Sequence, residues 1–116
     1  MDFELLDINK KYSGAEAPEV LTRKVRGKTF KYVPFNIKKS KDGIYEWYYV
    51  FLGPGAYNYE GLVDAIIGKK YSLRNMMAII NNYLYDSTNA EYKKEFDAMQ
   101  KWRILAKKSA KQHFNL

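Results

Sequence analysis

The sequence predicts an α+β fold in which a small antiparallel β-meander of about three strands precedes a short helix and a long helical hairpin. Residues 44–52 are almost all aromatic or β-branched, which is typical of a β-strand. Asp42-Gly43, just before them, is a dipeptide that closes β-hairpins. Residues 72–110 instead repeat apolar side chains at intervals of three and four, the period of an amphipathic helix.

A chain of 116 residues is expected to form one domain. We divide it into an N-terminal arm (residues 1–17), a β-meander (residues 19–52) and a helical part (residues 58–113). The arm mixes large apolar side chains with acidic residues, and Ala17-Pro18 breaks regular structure at its end. The arm is therefore either a frayed terminus or a segment that docks on an apolar surface.

Alternating side chains and turn dipeptides define the meander. Val20 to Val25 is predicted as a short strand, and Arg26-Gly27-Lys28 as the turn into a second strand from Thr29 to Ile37. Pro34 cannot donate a ladder hydrogen bond, so this second strand is expected at a sheet edge or with a bulge.

The strand at residues 44–52 is apolar on both faces, so both faces are expected to be covered. The helices can cover one of them, while the other needs the N-terminal arm or another chain. The predicted protein interface consists of the apolar side chains of the arm and of this second face: Phe3, Leu5, Leu6, Ile8, Tyr45, Trp47, Tyr49 and Phe51.

Capping residues mark the three helices. Asn58 begins a short helix that runs to about Ile67, and Gly68 follows where a C-cap glycine is expected. Ser72 caps the next helix, and Thr88 with Glu91 forms a capping box for the last one. The predicted inner stripe of the second helix is Leu73, Met76, Met77, Ile80, Tyr83 and Leu84.

The residue inventory offers little for catalysis. The chain has no Cys, which excludes disulfides and thiolate metal sites. Its one histidine, His113, lies beside lysines near the end of a helix, a poor position for a general base. Gly53-Pro54-Gly55 lacks the Lys-Ser/Thr partner of a phosphate loop. We therefore predict a non-enzymatic protein without a cofactor or metal.

The net charge of +7 is concentrated in the β-meander, where residues 20–50 hold eight Lys or Arg against two acidic residues. This basic ribbon is either a solvated face or a weak nucleic-acid contact, because its interleaved aromatic residues could stack on bases. The acids Glu91, Glu95 and Asp97 disfavour the last helix as a recognition helix. The candidate nucleic-acid contacts are Arg23, Lys24, Arg26, Lys28 and Lys31.

The second half of the chain contains several short motifs: Lys70-Tyr71-Ser72 after an Ile-Ile pair, Ile79-Ile80-Asn81-Asn82-Tyr83-Leu84, Glu95-Phe96, Gln100-x-Trp102-Arg103 and Ala106-Lys107. Through them, this half resembles a segment found in small virion-associated proteins, encoded near tail or capsid genes, of bacteriophages and prophages of gut Bacteroidales. The resemblance begins at Gly61 and does not extend to the β-meander.

The resemblance implies a structural or assembly role in a virion, in repeated copies, with other virion proteins or the chain itself as partners. It carries over no catalytic residue. The alternative is a small phage-encoded nucleic-acid-binding or host-modulating protein. The start MDFELLDINKK does not look like a signal peptide, and no apolar stretch approaches the roughly 20 residues that span a bilayer. We therefore expect synthesis in the bacterial host cytoplasm, no membrane partner, and location in the virion.

Overall fold

The computed structural model describes residues 6–116 and confirms the α+β fold. Four antiparallel strands form one sheet in the order β1-β4-β3-β2, and three helices follow them in the chain. The elements are β1 (Tyr12–Gly14), β2 (Leu21–Val25), β3 (Lys28–Lys39), β4 (Tyr45–Leu52), α1 (Tyr59–Gly68), α2 (Leu73–Tyr85) and α3 (Ala90–Phe114).

The described part of the sheet has one strand more than the meander predicted from the sequence. The extra strand, β1, lies in the segment assigned to the N-terminal arm and pairs with β4, with Tyr12 opposite Trp47 and Gly14 opposite Tyr45. The three residues of β1, which include the small residues Ser13 and Gly14, are too few to show the alternating apolar pattern that predicts a strand. They are extended because they complete the hydrogen-bonding edge of β4.

Residues with positive φ form the turns between the meander strands. Arg26 and Gly27, with φ of 52° and 76°, link β2 to β3, and Gly43, with φ of 82°, lies in the turn from β3 to β4. Both turns were predicted. Pro34 lies in a central strand rather than an edge strand, but the part of β3 beyond Tyr32 pairs with β4 alone. The predicted irregularity follows it, as a register shift between Phe35 and Lys38.

The larger core lies between the sheet and the helices α1 and α3. The strands contribute Val33, Phe35, Val50 and Leu52, and the helices contribute Leu62, Val63, Ile66, Ala106 and Ala110. The two alanines let the backbone of α3 approach the sheet and α1 closely. On β4, Val50 and Leu52 lie on the helix side and Trp47 and Tyr49 on the opposite side, so the two predicted faces of β4 are confirmed.

The opposite face of the sheet carries a smaller core under the N-terminal arm. Tyr32, Trp47 and Tyr49 are buried there, and the partly buried side chains Leu6, Ile8, Tyr12, Leu21 and Tyr45 pack against them. The backbone N–H of Leu6 also donates to the hydroxyl of Tyr32 at 3.3 Å. The described part of the arm is therefore docked, and it covers much of the second apolar face.

Helix caps agree with the sequence at two of three helix starts. The side chain of Asn58 caps α1 and that of Ser72 caps α2. The cap of α3 is Asn89 rather than the predicted Thr88, because Asp86 accepts hydrogen bonds from both the N–H and the hydroxyl of Thr88. Gly68 is the last residue of α1 and lacks the positive φ of a C-cap glycine.

The two long helices form the predicted hairpin. Tyr83 of α2 stacks on Phe96 of α3 with ring centroids 4.3 Å apart and planes 7° apart. The second half of α3 packs on the body, where Trp102 Nε1 donates to the carbonyl oxygen of Ile66 at 2.9 Å. One end of α3 therefore belongs to the sheet-and-helix core, whereas the other end carries α2.

Candidate interaction surfaces

The predicted protein interface on β4 is mostly internal. Trp47 is 9% exposed and Tyr49 is 6% exposed, and the side chains of Leu6 and Ile8 pack against them. Tyr45 is half-buried beside them. The arm and the strand thus contact each other within one chain. The remaining arm residues of this prediction, Phe3 and Leu5, lie outside the described residues.

Phe51 is the exposed member of that set, with 38% of its surface accessible. Its ring stacks on Phe30, with centroids 5.5 Å apart and planes 11° apart, and also contacts the ring of Tyr32. Arg23 is the register partner of Phe30, so its side chain emerges on the same face of the sheet. This corner of the sheet therefore carries an aromatic ring and a basic residue on one face, and the guanidinium of Arg23 donates to the carbonyl oxygen of Thr22 at 3.0 Å.

The five candidate nucleic-acid contacts do not share one surface. Their alternation along β2 and β3 places Arg23 and Lys28 on the arm side of the sheet and Lys24 and Lys31 on the helix side. Arg26 lies in the turn at the tip of this hairpin. Lys31 already bonds the hydroxyl of Thr22 at 3.0 Å.

A cleft of about 250 Å³ opens between the arm, the bulge of β3 and the end of α1, and Lys69 lies at its edge. The ammonium of Lys69 donates to the carbonyl oxygens of Ile8 and Tyr49. Burial lowers the pKa of Lys69, while the carboxylate of Asp7 acts in the opposite direction. We interpret Lys69 as a clamp that holds the arm against the body.

Several of the exposed large apolar side chains of the described residues lie on α2. None of its thirteen residues is buried. Leu73, Met77, Leu84 and Tyr85 are 71%, 56%, 75% and 89% exposed. Periodicity correctly places the apolar residues of α2 at helical spacing. These residues, however, occupy a wider arc of the helix surface than α3 covers. The excess width of this stripe was the signal, present in the sequence, that α2 has a second apolar face.

The groups that could carry chemistry are dispersed over the described part of the chain. It contains no cluster of three or more His, Asp or Glu side chains suited to a metal ion. His113 Nε2 lies 2.7 Å from the hydroxyl of Tyr57, and burial lowers the pKa of this histidine. None of the described helices is long and apolar enough to cross a membrane.

Comparison with protein-family models, with curated proteins and with solved structures finds no match to this chain. The surfaces described above therefore supply the physical basis for a functional proposal. The exposed face of α2 is the strongest of them, because it combines several large apolar side chains on one regular element.

Proposed function

We propose that the protein is a non-enzymatic structural or assembly protein of a bacteriophage particle. It is made in the cytoplasm of the bacterial host and acts in the virion through protein–protein contacts in repeated copies. The observation that carries this proposal is the apolar face of α2, where Leu73, Met77 and Leu84 are each more than half exposed. The resemblance to phage virion proteins covers the same helical hairpin.

An exposed apolar face of this kind favours association with another protein. Removal of apolar surface from water favours association, and contiguous apolar patches on soluble proteins mark interaction sites. A helix face that is regular and largely uncharged suits a partner with a matching helix or groove. Within α2 itself, Arg74 is the one charged residue.

Mass spectrometry of purified particles of a phage that encodes the chain tests the proposal. We expect the protein in the particles, at several copies each. Leu84→Glu should lower its incorporation at unchanged expression, because a carboxylate on the contact face must lose its hydration. Ile104→Glu is the matched control: Ile104 is 65% exposed on α3, outside the α2 face, and its replacement should leave incorporation unchanged. Absence of the wild-type chain from washed particles would contradict the proposal.

A small phage-encoded protein that binds single-stranded nucleic acid or modulates the host is the second candidate. The observation that favours nucleic acid is the exposed ring of Phe51, stacked on Phe30 and accompanied by Arg23 on the same face. An aromatic platform beside a cation is a common way to bind unpaired bases. Binding that withstands physiological salt and falls in Phe51→Ala would support this candidate against the first.

A further inference from the structure

Four apolar residues of α2 follow the spacing of a coiled-coil seam. Leu73, Met77, Ile80 and Leu84 are separated by four, three and four residues, which corresponds to successive d, a, d and a positions of a heptad. Leu73, Met77 and Leu84 are 71%, 56% and 75% exposed, whereas Ile80 is half-buried. The stripe is therefore suited to insert between the side chains of a second, similarly spaced helix.

The charges of the hairpin restrict what can cover this seam. Arg74 is the one charged residue among the thirteen of α2. The facing half of α3, residues 90–101, carries three acidic and three basic side chains. An acidic peptide, a nucleic acid or an anionic lipid surface would need a cluster of cations here. A neutral helix with the same spacing needs none, and α2 of another copy has both properties.

We infer that a second copy of the chain covers the seam, with the two α2 helices pairing antiparallel about a two-fold axis. This deepens and rests on the proposed function. The antiparallel arrangement places Leu73 opposite Leu84 of the second copy, and Met77 opposite Ile80. It separates the two Arg74 side chains and aligns the helix dipoles favourably. A two-fold interface of this type closes on itself, so the expected product is a dimer.

The dimensions of α2 set the expected affinity. A helix of thirteen residues is about 20 Å long, so the contact falls below the roughly 1,200 Å² of a standard stable interface. We therefore expect weak, reversible dimerisation with a Kd in the range of roughly 10–100 µM. Weak contacts of this kind become effective where many copies are held close together.

Disulfide crosslinking tests the pairing directly, because the chain has no Cys of its own. Leu73→Cys and Leu84→Cys proteins are mixed and oxidised mildly, and the dimers are identified by mass spectrometry. In the antiparallel pair, residues 73 and 84 face each other at a separation suited to a disulfide. We expect the mixed 73–84 dimer to exceed either homodimer at least several-fold, with Ile104→Cys as the background control.

Sedimentation velocity at tens of micromolar provides the second measurement. The wild-type chain should show a reversible monomer–dimer equilibrium, and Leu73→Glu should raise the Kd of dimerisation at least tenfold. A glutamate in the first turn of α2 suits the helix dipole, so this variant should keep its fold. Circular dichroism checks that point. Three results would each overturn the inference. In the crosslinking experiment they are a predominant Leu73→Cys homodimer and a yield no higher than with Ile104→Cys. In sedimentation it is a wild-type chain that stays monomeric at tens of micromolar.

The experiments distinguish a failure of the dimer from a failure of the proposed virion role. A chain that is monomeric in solution, yet leaves the particles when Leu84→Glu is introduced, uses the same face for a different virion protein. That result overturns the dimer and supports the proposed function. A chain that dimerises as described but is absent from purified particles supports the dimer and contradicts the virion role.

Discussion

Gly61 and Gly68 lie near the two ends of α1 in different surroundings. A Cβ atom built at Gly61 would lie 2.0 Å from the carbonyl oxygen of Ala56, whereas one at Gly68 meets nothing within 4 Å. The N–H of Gly61 also donates to the side chain of Asn58 at 2.8 Å, so the helix start cannot shift without loss of its cap. Close packing therefore requires a glycine at position 61 and not at position 68.

The two alanine substitutions should consequently have opposite effects on stability. Gly61→Ala forces the backbone at Ala56 away and should lower the free energy of unfolding by about 1–3 kcal/mol. Gly68→Ala removes conformational freedom from the unfolded chain and should raise it by up to about 0.5–1 kcal/mol. Urea unfolding of both variants beside the wild type measures the difference. Equal effects of the two substitutions would contradict the close approach at Gly61.

His113 should make the C-terminal end of α3 sensitive to acid. Burial lowers the pKa of its imidazole in the folded chain, so the unfolded chain binds the proton more readily. The stability contributed by the neutral ring is complete above the unfolded pKa of about 6.5 and is lost as pH falls through the folded pKa. Between about pH 8 and about pH 5, where histidine titrates, the Tm of His113→Gln should therefore decrease less than that of the wild type.

The carboxylates present in both proteins cancel in that comparison, since the variant differs by one side chain. His113 also contacts Tyr57 through the 2.7 Å contact and an edge-to-face ring pair. Gln retains polar atoms for the tyrosine hydroxyl, so the variant should stay folded at neutral pH. Identical pH profiles would mean that the imidazole is as accessible to protons in the folded chain as in the unfolded one.

At the scale of elements, Trp102 joins α3 to α1 and to the sheet. Its indole N–H donates to the carbonyl oxygen of Ile66, and its ring meets Phe35 edge-to-face at 6.2 Å. The ammonium of Lys70 lies 4.2 Å from the ring centroid. These partners lie on β3, on α1 and in the loop that follows α1, all distant from Trp102 in the chain, so this side chain holds α3 onto α1 and the sheet.

Truncation of Trp102 should therefore be costly. Trp102→Ala removes most of these contacts and should lower the free energy of unfolding by about 3 kcal/mol, the lower end of the usual range because the ring is half-buried. Trp102→Phe keeps a ring and loses mainly the hydrogen bond, a difference of about 0.5–1.5 kcal/mol. Chemical denaturation followed by circular dichroism gives both values. An alanine variant that melts within a few degrees of the wild type would contradict this role.

Local signals specify most of these elements, and long-range contacts specify the others. Asp42-Gly43 and the caps at Asn58 and Ser72 act within a few residues, so the β3–β4 hairpin and the starts of α1 and α2 can be read from the sequence. The strand β1 has no such signal, because it forms only where β4 offers a free edge. Thr88 and Asn89 are both good caps, and the choice between them depends on Asp86.

The exposed apolar face of α2 was harder to predict for a related reason. Periodicity tells which residues share a helix face, but it does not tell whether another element covers that face. Trp47 and Tyr49 are predicted at an interface because their strand needs a cover, and the described arm provides one. Leu73 and Leu84 are predicted inside the hairpin, yet both are more than two-thirds exposed.

Across the whole molecule, the basic ribbon and the apolar hairpin face lie on different elements. The ribbon contributes much of the net charge of +7, whereas α2 carries a single charge. The basic residues themselves divide between the two sides of the sheet, with Arg23 on one side and Lys24 on the other. A nucleic acid on either side would therefore meet only part of the positive charge.

Nucleic-acid binding should accordingly be weak and sensitive to salt. We expect retention of single-stranded and duplex oligonucleotides at low salt and a dissociation constant of roughly 10⁻⁴–10⁻⁶ M at physiological salt. Fluorescence anisotropy at two salt concentrations measures both. Arg23→Gln and Lys24→Gln, on opposite faces, should weaken binding about equally if the attraction is only electrostatic. Submicromolar binding at physiological salt that depends on Arg23 and not on Lys24 would make the second candidate function the leading one.

The pairing of β1 with β4 also has a consequence for the order in which the chain folds. Each of the hairpins β2–β3 and β3–β4 closes a short turn, whereas β2 and β3 separate Tyr12 from its partner Trp47 in the chain. A longer loop costs more entropy to close, so such a contact forms late. During synthesis the arm therefore emerges from the ribosome ahead of the strand edge that will hold it. Its apolar residues stay uncovered until β4 has formed. In the folded protein, the amides of β1 should be among the first in the sheet to exchange with solvent.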